Sequence, residues 1–131
     1  MVIDDDAAVR TGLVRLLDTW GVRTTAFGDA AALAAWLASS PGAAPDFAIV
    51  DHRLVEPGDG LAALERLRAA WPGATLPAVL VTGSLLDAPP PAREGGANAA
   101  LYLLRKPVAP ARLRALLGSL LTSPGTGATP P

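Results

Sequence analysis

The sequence predicts an α/β fold in which a five-stranded parallel sheet is covered by helices on both faces. Three observations predict it. Short apolar runs alternate along the chain with longer segments whose apolar residues fall at helical spacing. Two of the short runs, FAIV (47–50) and AVLV (78–81), are apolar without a break, as expected of strands buried on both faces. Glycine, proline and aspartate punctuate the joints between segments. Such alternation is the pattern of a doubly wound sheet with right-handed crossovers.

The elements follow in order. Val2 and Ile3 form a stub of strand. Residues 7–20 place Val9, Leu13, Leu16, Leu17 and Trp20 on one helical face, and Gly21 stops the helix. VRTTAF (22–27) is rich in β-branched residues and reads as the second strand. Asp29 stands where an N-cap belongs for a helix over 30–39 carrying Leu33, Trp36 and Leu37. SSPGAAPD (39–46) is a loop, and FAIV is the third strand. A glycine-containing loop at 56–60 leads to a helix over 61–71, with Leu61, Leu64 and Leu67 inward and Glu65, Arg66 and Arg68 outward; Pro72 and Gly73 end it. AVLV is the fourth strand and 100–104 the fifth. A helix over 110–121, with Leu113, Leu116, Leu117 and Leu120, closes the fold. Between the last two strands, LLDAPPPAREGGANA (85–99) contains three consecutive prolines and two glycines, so its helix is expected to be short or irregular. One domain over 1–121 is expected, followed by a flexible tail over 122–131, which has no core-forming residue.

Composition narrows the function. Half of the 131 residues are hydrophobic and 18% are charged, enough for one real core. A net charge of -1 gives no electrostatic reason for this domain to bind nucleic acid. The absence of cysteine excludes a disulfide framework, a thiolate nucleophile and the usual structural zinc sites. No apolar run approaches the roughly 20 residues of a membrane span, and the N-terminus lacks a basic-then-apolar leader. The expected location is the cytoplasm, without membrane insertion.

In sheets of this kind ligands bind beyond the carboxyl ends of the strands. The first strand delivers Asp4, Asp5 and Asp6 there, the third Asp51, the fourth Thr82-Gly83-Ser84 and the fifth Arg105-Lys106-Pro107. With strand order 2-1-3-4-5, Asp5 and Asp51 face one cleft, and Thr82 and Lys106 close it from the other side. Adjacent carboxylates repel; about 4 Å apart, at an effective dielectric near 20, the cost is on the order of 4 kcal/mol. A divalent cation between them offsets that cost.

At VIDDD, IVDHRL with PGDG following, VTGS and RKPV, the chain resembles the receiver domain of two-component response regulators, over nearly its whole length. The resemblance implies a flavodoxin-like fold and a signalling domain rather than a metabolic enzyme. It implies that Asp51 accepts a phosphoryl group from a phosphohistidine and later loses it by hydrolysis. It further implies Mg²⁺ bound by Asp5 directly, by Asp4 largely through water, by Asp51 and by the backbone carbonyl of Arg53. Thr82 is then the switch hydroxyl and Lys106 the counter-charge, with the Lys106-Pro107 peptide cis. The chemistry suits these residue types: a bound cation keeps a carboxylate ionised for attack on phosphorus, and Mg²⁺ prefers oxygen ligands. The implied partner is a histidine kinase or a histidine phosphotransfer domain, with output by protein contact and no nucleic acid. LLRKPV followed by VAPARLRALL looks most like receivers appended to hybrid histidine kinases.

Plainer readings hold elsewhere. Asp6 reads as a solvated first-turn residue favoured by the helix dipole rather than a ligand. Ser84 reads as a turn residue, and His52, the lone histidine, as a packing or loop residue facing away from the cleft. Trp20, Trp36 and Trp71 read as core, and Arg66, Arg68, Arg112 and Arg114 as a solvated face. The family often places an aromatic three residues before the lysine; here Leu103 stands there, with Tyr102 one position earlier. That departure supports an alternative, a receiver-fold interaction module working without phosphorylation. An aspartyl-phosphate phosphohydrolase, which the Asp4–Asp6 spacing formally permits, is disfavoured by the short chain and by Asp51 on a central strand.

Overall fold

The computed structural model describes residues 1–39, 42–53, 60–74, 76–83 and 101–121. Among the described residues the elements run in the order β1 (Val2–Ile3), α1 (Ala7–Thr19), β2 (Ala26–Phe27), α2 (Ala30–Ala38), β3 (Ala48–Asp51), α3 (Gly60–Ala70), β4 (Ala78–Thr82), β5 (Leu101–Arg105) and α4 (Pro110–Leu121). The strands form one sheet in the order β2-β1-β3-β4-β5, every neighbouring pair parallel. The predicted fold class and strand order are those of the structure. The short helix expected within 85–99, Ser84, most of the loop before α3 and the expected tail at 122–131 lie outside the described residues.

Alternation along the strands builds two cores. Ile3, Ala48, Val50, Ala78 and Leu80 face Leu33 of α2 and Ala63, Leu64 and Leu67 of α3. Val2, Ile49, Val79 and Val81 face Leu13 and Leu17 of α1 and Leu113 and Leu117 of α4. The unbroken apolar runs are therefore what a sheet covered on both faces requires. Each fully buried leucine contributes on the order of 2 kcal/mol relative to exposure.

Helix ends follow local chemistry. Asp6 is the N-cap of α1, its carboxylate accepting from the backbone N–H groups of Ala8 (2.9 Å) and Val9 (3.1 Å). This corrects the expected first-turn position by one residue: the extended backbone of Asp6, φ -85° and ψ 112°, aims its carboxylate back at those donors. Asp29 caps α2 through the N–H of Ala32 at 2.7 Å. After α1, Gly21 adopts φ 78°, and Val22 N donates to Leu17 O while Gly21 N donates to Asp18 O, a Schellman closure.

Two further expectations are corrected. The second strand, expected over 22–27, is confined to Ala26–Phe27, because its neighbour β1 offers only two residues to pair with. Arg68 does not belong to a solvated face, whereas Arg66, Arg112 and Arg114 are exposed as expected. The Arg68 guanidinium, half-buried, donates to the carbonyl of Leu76 at 3.0 and 3.3 Å, and Arg114 lies 5.7 Å over the Trp20 ring. The tryptophans are half-buried at the margins of the two cores: Trp36 packs between Phe27 and Trp71, and the Trp71 indole donates to Gly42 O.

Candidate functional site

At the carboxyl edge of the sheet, β1 and β3 are neighbours; β3 ends in Asp51 and β1 is followed at once by Asp4. Asp51 closes β3, where the ladder continues through the next residue: His52 N donates to Val81 O and His52 O accepts from Gly60 N. Gly60 opens α3 so close to the strand that a Cβ there would collide with the carbonyl oxygen of Asp51. Only glycine fits, so the start of α3 rests directly on the backbone that presents the Asp51 carboxylate. Asp4 follows β1; its N–H donates to Phe27 O, and its Oδ1 accepts from Asp6 N at 2.9 Å, turning the chain into α1.

Asp4, Asp5 and Asp51 each offer a carboxylate oxygen, and these atoms all lie within 4.8 Å of one another. Lys106, just past β5, reaches across with Nζ 3.2 Å from Asp51 Oδ1 and 3.8 Å from Asp4 Oδ2. Thr82 is buried at the end of β4, and its carbonyl accepts from Lys106 N at 2.8 Å. The Lys106-Pro107 peptide is cis. Arg53, exposed, donates its backbone N–H to Asp51 Oδ1 at 3.4 Å. The structure thus brings together the six residues singled out in the sequence: Asp4, Asp5, Asp51, Arg53, Thr82 and Lys106.

Asp4 and Asp51 are buried, and burial raises both carboxyl groups above their ordinary value; the Asp4 charge raises Asp51 further. The Asp6 N–H and Lys106 oppose the rise at Asp4, as Lys106 and the Arg53 N–H do at Asp51. Burial alone would lower the Lys106 ammonium, but its bond to Asp51 and the charges of Asp4, Asp51 and Asp5 raise it overall. Three carboxylates against one ammonium leave a formal excess of negative charge. An all-oxygen donor set with that excess suits a hard divalent cation such as Mg²⁺.

His52 is buried, and its Nδ1 has no hydrogen-bond partner among the described residues. Hydrophobic periodicity did not single out Arg10, whose Nη1 donates to the Asp4 carbonyl at 2.7 Å. Nor did it single out the collision that makes Gly60 obligatory. An apolar groove of about 570 Å³ opens beside the cluster, between α1 and the β5–α4 connection, lined by Val9, Gly12, Leu13, Leu16 and Val108 with Lys106 at its edge.

A family model for the response regulator receiver domain matches residues 1–118. The chain is 36% identical over 121 residues to the transcriptional regulatory protein FixJ of Bradyrhizobium diazoefficiens, covering 92% of this chain and 55% of that protein. The chain therefore spans about half the length of this relative. Among solved structures it resembles a CheY-like receiver domain from Methylobacillus flagellatus (26% identity, TM-score 0.70, 91% of this chain and 94% of that one). It also resembles the receiver domain of a sensor histidine kinase from Pseudomonas aeruginosa, solved with a magnesium ion coordinated in its active-site cleft (25% identity, TM-score 0.70, 93% and 95%).

Proposed function

The chain belongs to the response regulator receiver domain family of two-component systems, and on that premise we propose that it accepts a phosphoryl group from phosphohistidine onto Asp51 and signals by a change of conformation. The observation that carries this reading is the juxtaposition of Asp4, Asp5 and Asp51 within 4.8 Å, with the Lys106 ammonium 3.2 Å from Asp51.

The Asp51 carboxylate attacks phosphorus; an O–P bond forms as the N–P bond to the donor imidazole breaks, and the electron pair leaves with the imidazole. Asp4, Asp5, Asp51 and the Arg53 backbone carbonyl would hold Mg²⁺. Bound there, the ion supplies charge neutralisation to the transferring group and keeps Asp51 ionised. Lys106, already paired with Asp51, stays beside the phosphoryl oxygens as a second counter-charge. The Thr82 hydroxyl donates to the phosphoryl group once it is attached, and the inward shift of that buried side chain biases the surface between two states. Water then cleaves the O–P bond and restores the carboxylate.

A histidine kinase or a histidine phosphotransfer domain is the donor, and its approach is supported by the apolar groove beside Lys106. Output through protein contact is part of the same proposal. A second reading, an interaction module independent of phosphorylation, draws on Leu103 in the place of the family's frequent aromatic and on Tyr102, which is exposed on β5.

Labelling tests the reading. Wild-type protein mixed with a phosphohistidine donor and Mg²⁺ should acquire an acid-stable, base-labile phosphoryl group, and Asp51→Asn should acquire none. Normal labelling of Asp51→Asn would sink the assignment, and a wild type that never labels would favour the second reading.

A further inference from the structure

Strand β1 has only two residues, and its ladder ends at the bond from Asp4 N to Phe27 O. Beyond that bond three successive aspartates repel one another, so the Asp4–Asp5 peptide needs a fixed partner to keep Asp5 turned toward Asp51. Arg10 is that partner. From the first turns of α1 its Nη1 donates to the Asp4 carbonyl at 2.7 Å, a charge-assisted bond.

On its other side the guanidinium occupies the space left free by Gly28, immediately after β2. A Cβ on Gly28 would stand 2.8 Å from Arg10 Nη1 and 3.3 Å from Cζ. Gly28 is not among the glycines with positive φ, so its missing side chain answers to the space Arg10 occupies rather than to backbone conformation. Helix α1, the β1–α1 turn and the β2–α2 turn therefore meet on one side chain. An arginine serving only solubility would extend into water; this one is half-buried and spent on a backbone carbonyl next to the acidic cluster.

We infer that Arg10, seated on Gly28, is a positioning residue that presets the Asp4–Asp5 backbone for a divalent cation. The inference rests on the proposed reading of Asp4 and Asp5 as cation ligands. Groups that orient metal ligands without touching the ion set affinity through preorganisation.

Calorimetric titration of the 131-residue chain with MgCl₂ alone tests it, with circular dichroism of the metal-free proteins as the folding control. Arg10→Met, which keeps the stem and loses the donor, should bind Mg²⁺ about tenfold more weakly than wild type. Gly28→Ala, which displaces the guanidinium while leaving it in the chain, should weaken binding comparably. Arg10→Lys should recover most of the loss. The double variant should bind no more weakly than Arg10→Met, because Gly28 acts through Arg10. Folded variants that bind like wild type, or losses that add in the double variant, would overturn the clamp alone. A wild type with no binding heat would overturn the cation reading and the clamp together. If Arg10→Met does not fold, Gly28→Ala and Arg10→Lys supply the same comparison.

Discussion

Asp51 carries a cost that its proposed role as acceptor requires. Burial, followed by the Asp4 charge, raises its carboxyl group above the ordinary value of 3.8, and burial raises Asp4 as well. A folded-state value above the unfolded one means that the folded chain binds protons more tightly. Stability from these groups therefore rises as pH falls through the raised values and is fully present below 3.8. The buried Met1 amine, lowered by burial from 8.0 to about 6, works in the opposite sense between those values. The effect is thus best read as a difference between wild type and Asp51→Asn. Without metal at pH 7, Asp51→Asn should be the more stable, because the wild type must hold a buried carboxylate ionised. In thermal denaturation the gap should shrink as pH is lowered toward 4, as Asp51 becomes neutral. A gap that stays constant or widens would mean that Lys106 fully compensates the carboxylate. Saturating Mg²⁺ should reverse the order at pH 7, because only the ionised cluster holds the ion.

At the scale of elements, β3 and α3 are joined through Gly60. Replacing it with alanine drives a methyl group into the Asp51 carbonyl, and backbone on backbone cannot rotate aside. Gly60→Ala should cost roughly 2–3 kcal/mol and displace Asp51, so chemical denaturation should show lower stability and phosphodonor labelling a slower rate. Unchanged labelling would mean that α3 can retreat without moving the strand. The elements themselves are legible in the sequence: FAIV and AVLV are too apolar for anything but two-sided burial, and the Leu13, Leu17, Leu113 and Leu117 spacings belong to helices against a sheet. Their limits are less legible. The stretch VRTTAF has strand propensity throughout, yet pairing stops at Ala26–Phe27 because strand length is set by the partner, and β1 is a stub. Asp6 stands one position outside the helix rather than within its first turn, because capping depends on backbone angles, which residue identity only biases.

For the whole molecule, the groove between α1 and the β5–α4 connection is the face proposed to receive a donor protein. Gly12 lines it, and a Cβ there would meet nothing within 4 Å. Gly12→Gln should therefore stabilise α1 by up to about 1 kcal/mol through helix propensity while obstructing the groove. Transfer from a protein donor should slow markedly, and labelling by a small phosphodonor such as acetyl phosphate should stay unchanged. Equal rates from the protein donor would move docking away from this groove.

By itself the sequence determined the alternating architecture and the acidic, hydroxyl and lysine residues at the strand ends; the strand order 2-1-3-4-5 entered with the resemblance those residues carry, and the structure has it. Periodicity and residue chemistry are local properties, and strand ends share one edge in any parallel sheet. Only the tertiary structure decided that Lys106 pairs with both Asp51 and Asp4, that Arg68 binds the Leu76 carbonyl, and that Arg10 and Gly28 brace the first acidic turn. The Arg68 and Arg10 contacts join residues whose identities carry no mutual signal, and opposite charge marks Lys106 and Asp51 as partners without saying how the ammonium is shared between two carboxylates. They exist because the backbone brings a long cation within reach of a particular oxygen, a matter of ångströms that no pattern along the chain encodes.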